Sequence, residues 1–187
     1  MTELYSDYGG EFDPAFSQEK LSREMLLKVA KAGSDYLRRL DGTWYVTVMK
    51  RFGNDAAFDC DVKIWEKFII YESKSVSEMF GIRGHDVLAL MKTMQASPWN
   101  WAYDRSYDLI DNNHAVVTCR NCETLLNLEK EGTHRYMQIC HVLDRKLFEL
   151  RAHYFNKAIK VTPLKLPPRE AGDAISCQWE FKIEGAK

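Results

Sequence analysis

The segment Ser176-Cys177-Gln178-Trp179-Glu180-Phe181-Lys182-Ile183 alternates without a break. Cys177, Trp179, Phe181 and Ile183 fall on one side, and Ser176, Gln178, Glu180 and Lys182 on the other. Successive side chains of a strand point to opposite faces, so this segment reads as a β-strand with one apolar face. Such a strand needs neighbours to pair with and a layer to cover its apolar side. Upstream of residue 99 the apolar residues recur every three or four positions, the helical period. The pattern therefore predicts an α+β fold. An N-terminal helical layer of about four helices packs on a mainly antiparallel sheet of about four strands, with one crossing helix.

The helical part spans 17–98. Leu21, Met25, Val29, Ala32 and Tyr36 mark a first helix, with Ser17 as N-cap and a stop at Asp41-Gly42. Trp44, Val48 and Phe52 share a face of a second, closed by Gly53. A long third helix starts at Asn54 or Asp55, carries Ala57, Cys60, Ile64, Phe68 and Tyr71, and ends at Gly81. Trp65, Ile69, Val76 and Phe80 widen its apolar stripe, which marks it as the central helix. Val87, Leu88, Met91 and Met94 form a fourth, ended by Pro98.

The sheet part spans 99–187. Asp111-Asn112-Asn113 is a turn signal between strand candidates 101–110 and 114–128, a hairpin. Helical spacing returns over 140–155, then a strand over 158–164 and a Pro-rich loop into the last strand. Residues 1–16, with Gly9-Gly10 and Pro14, read as a flexible arm or a strap over the surface, and 17–187 as one domain.

The bulk numbers exclude several classes. A formal net charge of -1 gives no field that would recruit nucleic acid. No apolar run approaches the ~18 residues of a membrane span. The start, Met1 to Asp7, is acidic and has no apolar stretch, so a secretory signal is not expected. Five cysteines, an odd count, then read as reduced thiols in a cytoplasmic protein.

Three places carry candidate chemistry. Cys119-Arg120-Asn121-Cys122 is a C-x-x-C, but on a strand its sulfurs point to opposite faces. The pair chelates one ion only if a bulge breaks the strand, and no following helix is expected to favour a thiolate. The plainer reading is two buried thiols. Cys140-His141 sits where a helix is expected to begin, and the dipole there would lower the thiol pKa. His141 lies about 100° round the helix, so the two need not form a dyad. Asp61 and Trp65 are four apart on one helix and share a face. A carboxyl beside an indole in a dry pocket acquires a raised pKa suited to acid–base work, whereas the plainer reading is a solvated carboxylate. The five histidines show no H-x-x-x-H spacing, and neither a Gly-rich phosphate loop nor G-x-S-x-G is present.

Trp44, Arg51-Phe52-Gly53, Ala57, Asp61, Trp65-Glu66, Asn121-Cys122, Gly132, Cys140 and Cys177-Gln178-Trp179-Glu180-Phe181 together carry a resemblance. Over residues 20–184 the chain resembles a bacterial family of small cytosolic proteins of unknown function, distantly similar to the L-2-amino-thiazoline-4-carboxylate hydrolases. It departs from that pattern at Lys157–Lys165, which lacks the cysteine pair of similar proteins. The resemblance implies hydrolysis of a C–N or C=N bond in a small cyclic amidine or thiazoline. On this expectation Cys140 and Cys122, with Asp61 and His141, form the catalytic set. Trp44, Trp65, Trp179 and Cys177 wall the substrate pocket. The cofactor is none or a divalent metal, zinc first, on Cys119, Cys122, Cys140 and His141. The expected partner is a small-molecule ligand, with no nucleic acid and no membrane, and a homo-oligomer is left open. The alternatives are a non-catalytic small-molecule sensor and an accessory subunit of a larger enzyme.

Overall fold

The structure, a computed structural model, describes residues 4–170 and 172–185. Three helices come first: α1 (Arg23–Phe52), α2 (Asn54–Phe80) and α3 (Val87–Ala96). A 3-10 turn, Pro98–Ala102, leads into β1 (Asp104–Asp111) and β2 (His114–Arg120). Next come α4 (Glu123–Glu131), the single turn α5 (Tyr136–Gln138), a π turn (Ile139–Leu143) and α6 (Asp144–Phe155). The chain ends in β3 (Ile159–Lys165) and β4 (Ile175–Ile183). The strands form one antiparallel sheet in the order β1-β2-β4-β3. The α+β architecture is as the sequence predicts.

Two boundaries differ from the sequence reading. Asp41-Gly42 does not end a helix, because α1 runs straight through it. Glycine inside a helix costs only about 1 kcal/mol against alanine. Asp41 also does not compete for local backbone N–H groups, since its carboxylate is engaged across the layer by Trp65. The cap of α1 is Ser22, whose Oγ accepts from the Met25 N–H at 3.2 Å. Ser17 precedes only the short turn Gln18–Lys20 and makes no side-chain cap bond.

The second difference is the end of β2. The strand expected over 114–128 stops at Arg120. Asn121 takes a left-handed φ of 46°, a conformation asparagine tolerates, and α4 follows at once. Leu125 and Leu128, three apart, are the buried residues of α4.

β4 lies inside the sheet, paired on both sides, and its apolar face is the centre of the core. Trp179 and Phe181 are 1% and 0% exposed. Both pack against Phe148 of α6, with ring centroids 5.0 and 5.7 Å apart. Leu90, Met91 and Met94 of α3 cover the same face beside Val117 of β2. The opposite side of β4 is polar: Glu180 bonds His114 at 2.8 Å, and Gln178 donates to Thr118 at 2.9 Å.

Of the expected N-terminal arm, residues 1–3 lie outside the described residues. The rest is a strap folded onto the start of α1. Tyr5 bridges to Leu21, Tyr5, Tyr8 and Phe16 cluster, and Asp13 pairs with Lys20 at 2.7 Å.

A buried ion pair ties the long helix to the crossing one. Arg151 of α6 donates to Glu72 of α2, and the Ser97 hydroxyl donates to the same carboxylate. Removing one partner of such a pair leaves an uncompensated buried charge, which costs ~3–5 kcal/mol. Urea unfolding at pH 7 should show Arg151→Met losing stability of that order, with most of it recovered in Arg151→Met/Glu72→Met. A loss below ~1 kcal/mol for the single variant would mean the pair does not tie the layers.

Candidate functional site

A hollow of about 690 Å³ lies beside this core, walled by α1, α2, α4, the π turn and α6, with the start of β1 at its side. Three carboxyls line it: Asp41 of α1, Asp61 of α2 and Asp144, the first residue of α6. Asp41 reaches the hollow because α1 continues through Gly42. Trp65, one turn beyond Asp61, donates its indole Nε1–H to Asp41 Oδ1 at 3.0 Å. Trp99 packs edge-on against Trp65 with centroids 4.5 Å apart, and Tyr103 follows Trp99 at 5.9 Å. One wall is therefore aromatic.

The carboxyls are poorly solvated. Asp61 is 3% exposed and its Oδ1 has no hydrogen-bond partner. Burial pushes it up to about 7, and the charges of Asp41 and Asp144 add to the rise. Burial pushes Asp41 up to about 6, held back by the Trp65 N–H. Asp144 also rises to about 6 through burial, with Arg105 nearby pulling it back and Asp41 pushing it up. Its surface is reached from the hollow, but protein surrounds it. Three acids that titrate near neutrality then face one small space.

Four of the five cysteines, Cys119, Cys122, Cys140 and Cys177, line the same hollow. Cys119 and Cys177 are cross-strand partners of β2 and β4. The C-x-x-C straddles the end of β2: Cys119 is on the strand, whereas Cys122 is the N-cap residue of α4, so a helix does follow the pair. Neither thiol is activated by it. Cys122 lowers Cys119, but Cys177 and burial push Cys119 up to about 11. The contact with Cys119 and then burial push Cys122 further up.

Cys140 does not sit at a helix start. It lies within the π turn, in a helical run already under way at Tyr136. The dipole gain expected there is missing, and burial followed by the Asp144 charge pushes its thiol up. His141 turns away and donates Nε2–H to the Pro167 carbonyl at 2.6 Å. Asp61, Trp65, Cys122, Cys140 and Cys177 line the hollow, but His141, Trp44 and Trp179 do not. Trp179 is consumed by the core. Among the described residues no three His, Cys, Asp or Glu side chains are arranged to hold a metal ion, so the set Cys119, Cys122, Cys140 and His141 is not brought together as a zinc site.

Sequence reasoning missed Asp41, Asp144, Trp99, Tyr103 and Arg105. Asp144 was within reach, because it lies four residues after Cys140 on one helical face. The others depend on contacts between elements distant in sequence.

The sequence model of Family of unknown function (DUF6125) matches residues 18–183. The chain belongs to this family. No curated protein and no solved structure matches the DUF6125 chain studied, so its chemistry must be argued from its own side chains.

Two measurements check this description of the DUF6125 hollow. Iodoacetamide at neutral pH should alkylate the exposed Cys60 well before Cys119, Cys122 or Cys140; faster labelling of Cys140 would contradict the buried, raised thiol. The second concerns stability. A carboxyl raised in the folded state binds its proton there while the unfolded chain has released it. Its stabilisation is thus full below pH 4 and is lost as pH rises towards 7. Asp61→Asn should equal the wild type near pH 4 and exceed it at pH 8 by on the order of 2 kcal/mol in urea unfolding. A variant less stable at pH 8 would show that Asp61 is well solvated or paired.

Proposed function

We propose that the hollow is the active site of a small-molecule hydrolase. It acts on a C–N or C=N bond of a cyclic amidine or thiazoline-like ring, and carboxyls drive the chemistry. The observation that carries this reading is Asp61: dry, with an unpartnered oxygen, and lining the same hollow as Asp41 and Asp144. General acids and bases work best with pKa values near the operating pH, and burial brings all three into that range. The substrate class comes from the resemblance read from Asp61, Trp65, Cys140 and the Cys177–Phe181 segment of the sequence.

Asp41 retains the Trp65 hydrogen bond and is the one best kept ionised, so it serves as base. It takes a proton from water as the water oxygen bonds to the ring carbon. Asp61, protonated, gives its proton to the ring nitrogen. The adduct collapses as Asp61, now ionised, takes the hydroxyl proton to form the carbonyl, while Asp41 gives its proton to the departing nitrogen, which keeps the electron pair of the C–N bond. One water has been added, with Asp41 again ionised and Asp61 again protonated. An amidinium ring also suits this site, since carboxylates bind it by charge-assisted hydrogen bonds and aromatic faces stack on it. Cys119, Cys122 and Cys140, with thiols held neutral, serve as wall rather than as nucleophile.

The test is ring opening of L-2-amino-thiazoline-4-carboxylate by the purified chain, followed by NMR. Asp61→Asn should lose about 10²–10⁴-fold in rate, while Cys140→Ala should retain most of it. Loss of turnover in Cys140→Ala with retention in Asp61→Asn would reverse the assignment.

A second reading, an accessory subunit, is favoured by one feature. Leu26, Val29, Tyr36, Leu37 and Leu40 of α1 form an exposed apolar stripe. Absence of turnover by the isolated chain, with turnover on adding a second protein that binds this stripe, would select that reading.

A further inference from the structure

Besides the carboxyls, the hollow is lined by arginines. Arg38 and Arg135 at its rim are paired with Glu123 and Glu131, and Arg151 with Glu72. Arg105, at the start of β1, lines the same hollow and makes no ion pair among the described residues. Its Nη1 donates to the side-chain oxygen of Asn100. Its guanidinium lies over the rings of Tyr103 and Phe148, 4.8 and 5.8 Å from their centroids. A planar cation gripped this way has little freedom left to lose on meeting a partner.

Beside it is Arg151, 3% exposed, which gives Nη2 to Glu72 but has no partner for Nε. Asp61 Oδ1 is equally dry and equally without a partner. Both residues line the hollow, but these two atoms are themselves covered by protein. Buried charges without partners are costly, and Arg105 is the lining cation that a bound carboxylate can pair.

We propose that the ligand of this hollow is a zwitterion, with a carboxylate docking on Arg105 and a cationic end facing Asp41, Asp61 and Asp144. The proposal rests on the reading of the hollow as a hydrolase site. It makes Arg105 the residue that sets substrate specificity, while the carboxyls do the chemistry. A carboxylate matches the guanidinium fork in shape and charge, and a site built to hold it rejects the analogue that lacks it.

The experiment compares two probes on the full chain: L-2-amino-thiazoline-4-carboxylate, and 2-aminothiazoline, the same ring without the carboxylate. Binding is read by calorimetry and by quenching of tryptophan fluorescence. The wild type should bind the carboxylated ring ~10–100-fold more tightly. Arg105→Met should erase that preference without weakening the bare ring, and Arg105→Lys should restore part of it. Equal affinity of the wild type for both rings overturns the anion subsite, even if both are hydrolysed and the hydrolase reading stands. A carboxylate preference without turnover keeps the subsite and ends the hydrolase reading. Failure of both rings to bind counts against the proposal outright. The ligand-free protein gives an independent check. Arg105→Met loses the hydrogen bond to Asn100 and the place over two rings, so its melting temperature should fall by only ~2–4 °C, the equivalent of ~1 kcal/mol in a chain of this size. A fall of more than ~5 °C in Arg105→Met would make Arg105 a structural residue and overturn the assignment.

Discussion

The hydrogen bond from the Trp65 indole to the Asp41 carboxylate joins the two long helices, and the site depends on it. It draws a carboxylate of α1 to the aromatic wall supplied by α2. It also occupies the side chain that would otherwise compete for the backbone at Asp41-Gly42, where α1 runs on unbroken. Trp65 donates to Asp41 Oδ1 and holds back the rise of both carboxyls, while Asp61 Oδ1 has no partner. The charges of Asp41 and Asp144 push Asp61 further up, and the resulting inequality is what a proton donor and a proton acceptor require.

The same dry surroundings act in opposite ways on the two kinds of acid. Burial penalises the charged form of either. A carboxyl that starts near 4 is brought towards neutrality, where it exchanges protons readily. A thiol that starts near 9 is carried away from it, where it stays neutral and unreactive. Cys119, Cys122 and Cys140 and the three aspartates facing one hollow therefore do not compete for the same role. The burial that equips Asp61 for acid–base work disarms Cys140. This is why the proposed chemistry rests on oxygen and not on sulfur.

How much of this was legible in the sequence depended on whether the signal was local. The final strand announced itself by alternation, and the structure puts its Trp179 and Phe181 side in the core. Gly81 closed α2 as expected, in a left-handed conformation. Asp61 and Trp65 were legible because four-residue spacing on a helix is a local rule. Asp41-Gly42 misled because what overrides that break signal comes from another helix. Residues 121–128 misled because three leucines among polar residues suit a strand and a helix alike, and only the left-handed Asn121 separates β2 from α4. Trp179 was assigned to the pocket from its side of the strand. The side was right, but Phe148 fills the space over it. Arg105 carried no local signal, since its meaning lies in the carboxylate it does not have.

The most direct test of the account is a ¹³C NMR titration of the aspartate side-chain carboxyls in the intact chain, with Asp61→Asn and Asp41→Asn used for assignment. The account predicts that Asp61 titrates with a midpoint of about 7 and Asp41 with one of about 6. Midpoints near 4 for both, the value of a solvated carboxyl, would show that the hollow is wet and would contradict the account.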